Sequence, residues 1–444
     1  LILTSSRVVR NESETTLHRA RRQRTRRMAN QNPPSNTQTY GVPIYAVEWI
    51  PEVAVRSKIY KDQENSEDVG DKDRENSEDG GESSSSSSSL SSSKSCIVLS
   101  GGGGEGRSGI PNVILIIPVD RETNSLPEQP LAKHVIGTDL PYRMTVHPRE
   151  DGVICALPKS CKLFDWEEIM NSGEDNQAGE ESKEVIKELK DVGQQLALAF
   201  NQEGSVLAAG GEDGTLRIFE WPSMNTLLNE SNAHASVKNV AFSESGKFLV
   251  SLGTPLCRVW DVSAAATIAS LSKEKDELFG YCRFSVDNAG NEVLYIAANT
   301  GRGGSIITWD TTSWIRRRSN VFKNNSITAF NVSADGKLLA IGTMEGDVLI
   351  IDSKRMKINQ VVKKAHLGLV TALAFSPDSR CLVSVSFDSR ARLTAILQTR
   401  EKRGISLWVI LLFVLLYVVS YYFLESKGII GKNTPFKSTP QDDT

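Results

Sequence analysis

The sequence predicts an all-β protein, a seven-bladed β-propeller followed by one C-terminal transmembrane helix. Three observations lead there: a three-strand unit recurs through the interior, short polar turns separate apolar strands along most of the chain, and Ile405–Leu424 is an uncharged run of twenty residues. With 444 residues, 39% of them hydrophobic, there is ample material for a large core.

The unit is clearest in LALAFNQEGSVLAAGGEDGTLRIFEW (196–221), VKNVAFSESGKFLVSLGTPLCRVWDV (237–262), ITAFNVSADGKLLAIGTMEGDVLIID (327–352) and VTALAFSPDSRCLVSVSFDSRARL (370–393). Each reads as a strand, a polar turn with Gly or Ser, an apolar strand, a Gly/Asp turn and a third strand. That is the pattern of a WD repeat, one blade per unit. The Trp-Asp dipeptide stands at Trp260-Asp261 and Trp309-Asp310 and is blurred at Phe164-Asp165, Phe219-Glu220 and Ile351-Asp352. His234 and His366 fall where the repeat carries its early histidine, so they are expected to be hydrogen-bonded structural residues, neither ligands nor bases. Weaker units at 141–168 and 279–314, and a first one assembled from 40–50 with 96–120, bring the count to seven within a propeller of residues 40–399. A closed ring leaves few free sheet edges and suits a scaffold that presents loops.

The first unit contains the segment that departs most from the repeat, GGGGEGRSGIPN at Gly101–Asn112. Consecutive glycines lose more freedom on folding than any other residues and pack no side chain, so the backbone here is expected to approach another group closely or to adopt conformations closed to a Cβ. Gly104, Gly106 and Gly109 fit G-x-G-x-x-G, but a dinucleotide fingerprint needs a helix after the glycines, whereas Pro111 and the β-branched run Val113–Val119 announce a strand. A kinase glycine loop also lies between strands, yet the chain has no V-A-I-K, H-R-D or D-F-G element. Read from the residues alone, Ile110 and Asn112 are better taken as an ordinary hairpin end feeding the Val113 strand.

Two polar stretches read as insertions. Residues 61–95 hold ENSED twice, ten acidic residues between Asp62 and Glu82, and the serine tract Ser83–Ser89; this composition buries too little apolar surface to fold, so a solvated loop between two strands is expected. Residues 171–188 are a smaller acidic excursion. Upstream of Met28, eight arginines against two glutamates carry +6, and the rest of the chain carries −9 of the net −3. Residues 1–27 are expected to be upstream-translated sequence with Met28 as the start, and 28–39 a flexible N-terminus. The six cysteines show no C-x-x-C spacing and do not group with the five histidines, which argues against a zinc site or a disulfide scaffold and for a reducing compartment. No nucleic-acid partner is expected.

At about 1.5 Å per residue, Ile405–Leu424 reaches across roughly 30 Å of hydrocarbon. Trp408 near one end and Tyr421 and Tyr422 near the other suit the two interfaces. Arg400, Lys402 and Arg403 precede the run, against Lys427 soon after it, so the propeller is expected on the cytosolic side with 425–444 as a short lumenal tail, a single-pass type II arrangement. Asn229, Asn324 and Asn331 head formal glycosylation sequons that this orientation leaves idle.

The glycine-rich loop in the first blade, the opening Tyr40-Gly41-Val42-Pro43-Ile44-Tyr45, seven blades and a C-terminal anchor together resemble the Sec-twelve family over residues 40 to about 424. The acidic-serine insertion departs from the shortest members of that family. The resemblance implies an endoplasmic-reticulum exchange factor that loads GTP onto a Sar-type small GTPase and starts COPII coat assembly. It also implies that the loop wraps a potassium ion, with Gly103, Gly104, Glu105, Gly106, Gly109 and Asn112 as its cradle through mainly backbone carbonyls. Ile110, Pro111 and Asn112 would then be the tip that contacts the GTPase, and Ile405, Trp408 and Leu424 would mark the membrane anchor. No covalent chemistry is implied. The rival reading is a facilitator of the same family that escorts a membrane cargo such as a phosphate transporter without exchange activity; the intact Gly-Ile-Pro-Asn tetrad favours exchange.

Overall fold

Seven antiparallel sheets are built in chain order, and only the last borrows a strand from elsewhere. The computed structural model describes residues 35–60, 95–106, 108–149, 151–171, 185–274, 276–287, 290–397 and 407–427. It divides into a propeller unit that ends at Leu397 and a C-terminal unit. Residues 1–34 and most of the acidic-serine insertion lie outside the described residues.

The chain enters through β1 (Thr37–Thr39), which pairs antiparallel with the strand Arg390–Ala395, Gln38 opposite Ala391. The first described strand thus becomes the outer strand of blade VII and closes the ring. This corrects the expectation of a flexible 28–39: its described residues, from Ser35 on, are hydrogen-bonded, with Leu393 N–H donating to the Asn36 carbonyl at 2.8 Å. Blade I follows as β2 (Ile44–Trp49), β3 (Ser95–Gly101), β4 (Asn112–Val119) and β5 (Ala132–Gly137), with the insertion between β2 and β3.

Both faces of β3 and β4 are buried, which explains their unbroken apolar runs. Successive side chains of a strand point to opposite faces: Val98, Ile114 and Ile116 pack with blade II, while Ile97, Leu99, Val113 and Leu115 pack with Val383 and Val385 of blade VII. Residues inserted between two such blades can be hydrophobic at every position.

Among the described residues blade II has three strands, Arg143–Val146, Val153–Ala156 and Cys161–Phe164, with Val185 bridging antiparallel to Lys162 on the outer side. Beyond them a short helix, α1 (Trp166–Asn171), packs its buried Trp166 and Ile169 against Val55 and Ile59 of the helical turn at 52–59. Blades III to VI have four strands each. A bulge recurs in the innermost strand of six blades, at Tyr45, Leu196, Lys238, Gly280, Thr328 and Thr371, each an extra residue left unpaired while the partner strand runs on. Bulges increase twist and re-aim side chains; here each sits near the start of its strand, just after the blade-to-blade connector.

The two histidines are structural, as expected. In blade IV the Ser251 hydroxyl lies 2.7 Å from His234 Nε2 and accepts the Trp260 indole N–H at 2.8 Å, joining connector, second strand and third strand. In blade VII, His366 Nε2 lies 2.8 Å from the Ser384 hydroxyl. Burial and the neighbouring Arg258 charge hold His234 down to about 4. Its folded value is depressed, so the stability it contributes is present above the unfolded value of about 6.5 and is lost as pH falls toward about 4. The melting-temperature difference between wild type and His234→Gln is therefore expected to shrink between pH 7 and pH 4.5; a constant difference would mean the histidine is not held neutral.

The C-terminal unit contains one helix, α2 (Leu407–Ser426), apolar on all sides and ending two residues beyond the expected Leu424. Its side chains are described without a break only from Leu411 onward, and among the described residues no helix is long and apolar enough to cross a membrane.

Candidate functional site

In an antiparallel meander the connectors between blades and the links between second and third strands emerge on one face. The glycine-rich segment is the second-to-third link of blade I, residues 102–111, so it stands on that face. Gly102 N–H donates to the Pro43 carbonyl at 3.0 Å, tying the loop's first residue to the connector that enters the blade. Gly102 also explains itself by space: a Cβ there would lie 2.2 Å from Asn112 Oδ1 and 2.5 Å from the Asn112 Cα. The two ends of the loop touch through a position that admits no side chain.

Asn112 is the fastening. It is 2% exposed as the first residue of β4. Its Oδ1 accepts the Gly104 N–H at 2.9 Å, and its Nδ2 donates to the carbonyls of Thr138 at 2.9 Å, Gly137 at 3.1 Å and, more weakly, Gly104 at 3.4 Å. Three backbone carbonyls therefore converge on one side-chain amide. Gly104 itself turns the chain at φ +77°, a left-handed conformation that favours glycine. Beyond this root Glu105, Gly106, Gly109, Ile110 and Pro111 are exposed, while Arg107 lies outside the described residues. Ile110 is held only lightly, its N–H donating to the Ser108 hydroxyl at 3.3 Å.

The three residues expected together at the tip are thus separated: Ile110 and Pro111 reach solvent, and Asn112 lies buried beneath them. Its side chain is committed to the backbone of the loop root and of the β5 end, because the first residue of β4 lies beside that end, where Gly137 and Thr138 present carbonyls. Gly137, Thr138 and Pro43 are the partners that sequence reasoning missed. Nothing local marks the first two, which meet Asn112 across 25 and 26 residues of chain.

The same face carries further exposed apolar side chains. Met344 in the corresponding link of blade VI is 52% exposed, Leu367 in the connector to blade VII is 77% exposed, and Phe387 in the link of blade VII is 43% exposed. Phe387 meets Tyr45, the bulge residue of blade I, edge-on with ring centroids 4.7 Å apart. Ile110, at 37% exposed, adds to this surface. Exposed apolar side chains on the face that carries the loop suit a protein partner better than a small polar ligand. Of the expected anchor residues, Trp408 is exposed on α2, Leu424 is half-buried and Ile405 lies outside the described residues.

A seven-bladed ring of WD units with one modified loop defines a WD-repeat propeller protein that works through its surface. The family model for the WD domain, G-beta repeat, matches residues 188–220, 225–261 and 359–394. The chain is 73% identical to SEC12-like protein 2 of Arabidopsis thaliana, covering 86% of this chain and 94% of that protein. It is 31% identical to SEC12-like protein 1 of the same plant, covering 72% and 81%. To guanine nucleotide-exchange factor SEC12 of Rattus norvegicus it is 25% identical over 52% of this chain and 61% of that protein. The chain belongs to the SEC12-like family.

Proposed function

We propose that this protein is a guanine-nucleotide exchange factor for a small GTPase of the Sar type, anchored in the endoplasmic-reticulum membrane by its C-terminal helix, where it starts COPII vesicle formation. The observation that carries the reading is the blade I loop, tethered at its root by buried Asn112 and presenting Ile110 to solvent on an apolar-studded face. The naming of the rat relative as an exchange factor supports it. No bond is made or broken in such a role. The loop binds the nucleotide-free GTPase more tightly than the loaded one, which shifts the equilibrium toward release, and cellular GTP then refills the site. The deciding experiment is the rate of nucleotide release from a purified Sar-type GTPase with and without the protein. Acceleration supports exchange, and no acceleration leaves the cargo-escort role in its place.

A potassium ion held by the loop belongs to the same reading. Such an ion takes neutral oxygens, and the root supplies them: the Gly104 carbonyl lies there, and Asn112 Oδ1, which accepts one N–H, keeps a second lone pair. Gly103, Gly104, Glu105, Gly106, Gly109 and Asn112 would hold it, and its charge would draw the backbone carbonyls inward and stiffen the loop. Exchange measured in sodium or caesium in place of potassium is then expected to be slower; equal rates in all three would remove the ion from the account.

In the type II orientation, protease added to intact microsomes is expected to digest the chain up to about Arg403. Asn229, Asn324 and Asn331 should carry no glycan, and a sequon engineered near Thr444 should acquire one. A protected, glycosylated propeller would be unable to meet a cytosolic GTPase, and the exchange role would fall with it.

A further inference from the structure

The innermost strands enclose a cavity of about 360 Å³ along the propeller axis. Its wall mixes small residues, including Ala197, Ala329 and Ala372, with polar ones, including Asn239, Asn331 and Thr371. Against that background blades II and V each place an arginine, Arg143 and Arg283, in the lining. Both are held from behind. Arg143 donates through Nε to the Leu196 carbonyl at 3.2 Å and through Nη1 to the Tyr142 carbonyl at 3.2 Å. Arg283 donates through Nη1 to Asn239 Oδ1 at 3.1 Å and to its neighbour Cys282's carbonyl at 2.8 Å. Among the described residues neither guanidinium forms an ion pair, although ten other arginine and lysine side chains do.

The two charges act on a common region. Burial raises the Tyr281 hydroxyl, and Arg143 and Arg283 both pull it back down. The acid in the wall is Glu48, whose Oε2 accepts the Val146 N–H at 2.8 Å. Burial pushes its carboxyl up to about 7, against the pull of Val146 N–H and Arg283, so near neutral pH it supplies only part of one negative charge. A recess lined by two guanidinium groups without ion pairs and at most one carboxylate carries excess positive charge, which a bound anion would compensate. Arginine forks match oxyanions with several acceptor oxygens.

We propose that the axial cavity is a receptor for a small solute bearing phosphate groups, gripped by Arg143 from blade II and Arg283 from blade V. This site is independent of the blade I loop and of the exchange reading. Because the ligand would bridge two blades on opposite arcs of the ring, occupancy stabilises the propeller as a whole.

The test uses the full-length chain in detergent, with pyrophosphate as the probe and malonate as a carboxylate control, followed by calorimetry and by thermal melting. Saturable one-to-one binding of pyrophosphate is expected, with a rise in melting temperature, and at least about tenfold weaker binding of malonate. Arg143→Gln, an exposed position, is expected to fold normally and to weaken pyrophosphate at least about tenfold while abolishing the thermal shift. Arg283→Lys keeps the charge and loses the fork, and should fall between the two. Absence of saturable binding at millimolar pyrophosphate, equal affinity for malonate, or an Arg143→Gln variant that binds as wild type would each overturn the proposal.

Discussion

Ile110→Asp is expected to lower the rate of nucleotide release from a Sar-type GTPase by at least about 100-fold, roughly 2.7 kcal/mol of transition-state stabilisation, with the melting temperature unchanged. Its side chain is exposed at the end of a loop whose folding is secured below it, so it contributes to a partner and little to its own core. Aspartate places a charge where an apolar contact would be desolvated, which is costlier than simple truncation. Ile110→Ala is expected to give a smaller loss in the same direction. Wild-type rates from the aspartate variant would show that the loop tip does not touch the GTPase.

Asn112→Ala is expected to be different in kind, lowering both exchange and stability. It leaves the Gly104 N–H and the Gly137 and Thr138 carbonyls without their side-chain partner. Each unsatisfied buried group costs about 1–3 kcal/mol, and part of that is recovered where water enters the opened root. A net loss of about 2 kcal/mol, visible as a melting temperature several degrees lower, should accompany at least about a tenfold fall in exchange as the loop loosens. The contrast between the two variants separates contact from support. If Asn112→Ala kept full stability, the hydrogen bonds at the root would not be what holds the loop.

The loop's place and unusual composition were legible in the chain, because glycine runs and the Ile-Pro-Asn tetrad are local signals. The division of labour within it was not. Asn112 follows Ile110 and Pro111 directly in sequence, yet the single step from Pro111 to Asn112 leads from an exposed tip to a 2% exposed anchor. That division depends on where β5 ends, which no pattern around Asn112 records. The channel arginines show the same limit: Arg143 and Arg283 are 140 positions apart and line one cavity only because blades II and V face one axis.

The sequence by itself determined the blade repeat, the strand order within each blade, the structural role of His234 and His366, and the apolar helix at the C-terminus. These follow from periods of two and from turn chemistry, which act over a few residues. Tertiary structure alone decided how the ring closes, where α1 stands beside the three-stranded blade II, and which groups satisfy Asn112. The closing strand β1 is Thr-Gln-Thr, three polar residues with no alternating pattern, and its partner lies some 350 residues away in blade VII. Its pairing is set by the free backbone edge that the last blade presents, and an unpaired row of N–H and C=O groups is satisfied by whichever segment the finished ring brings alongside it.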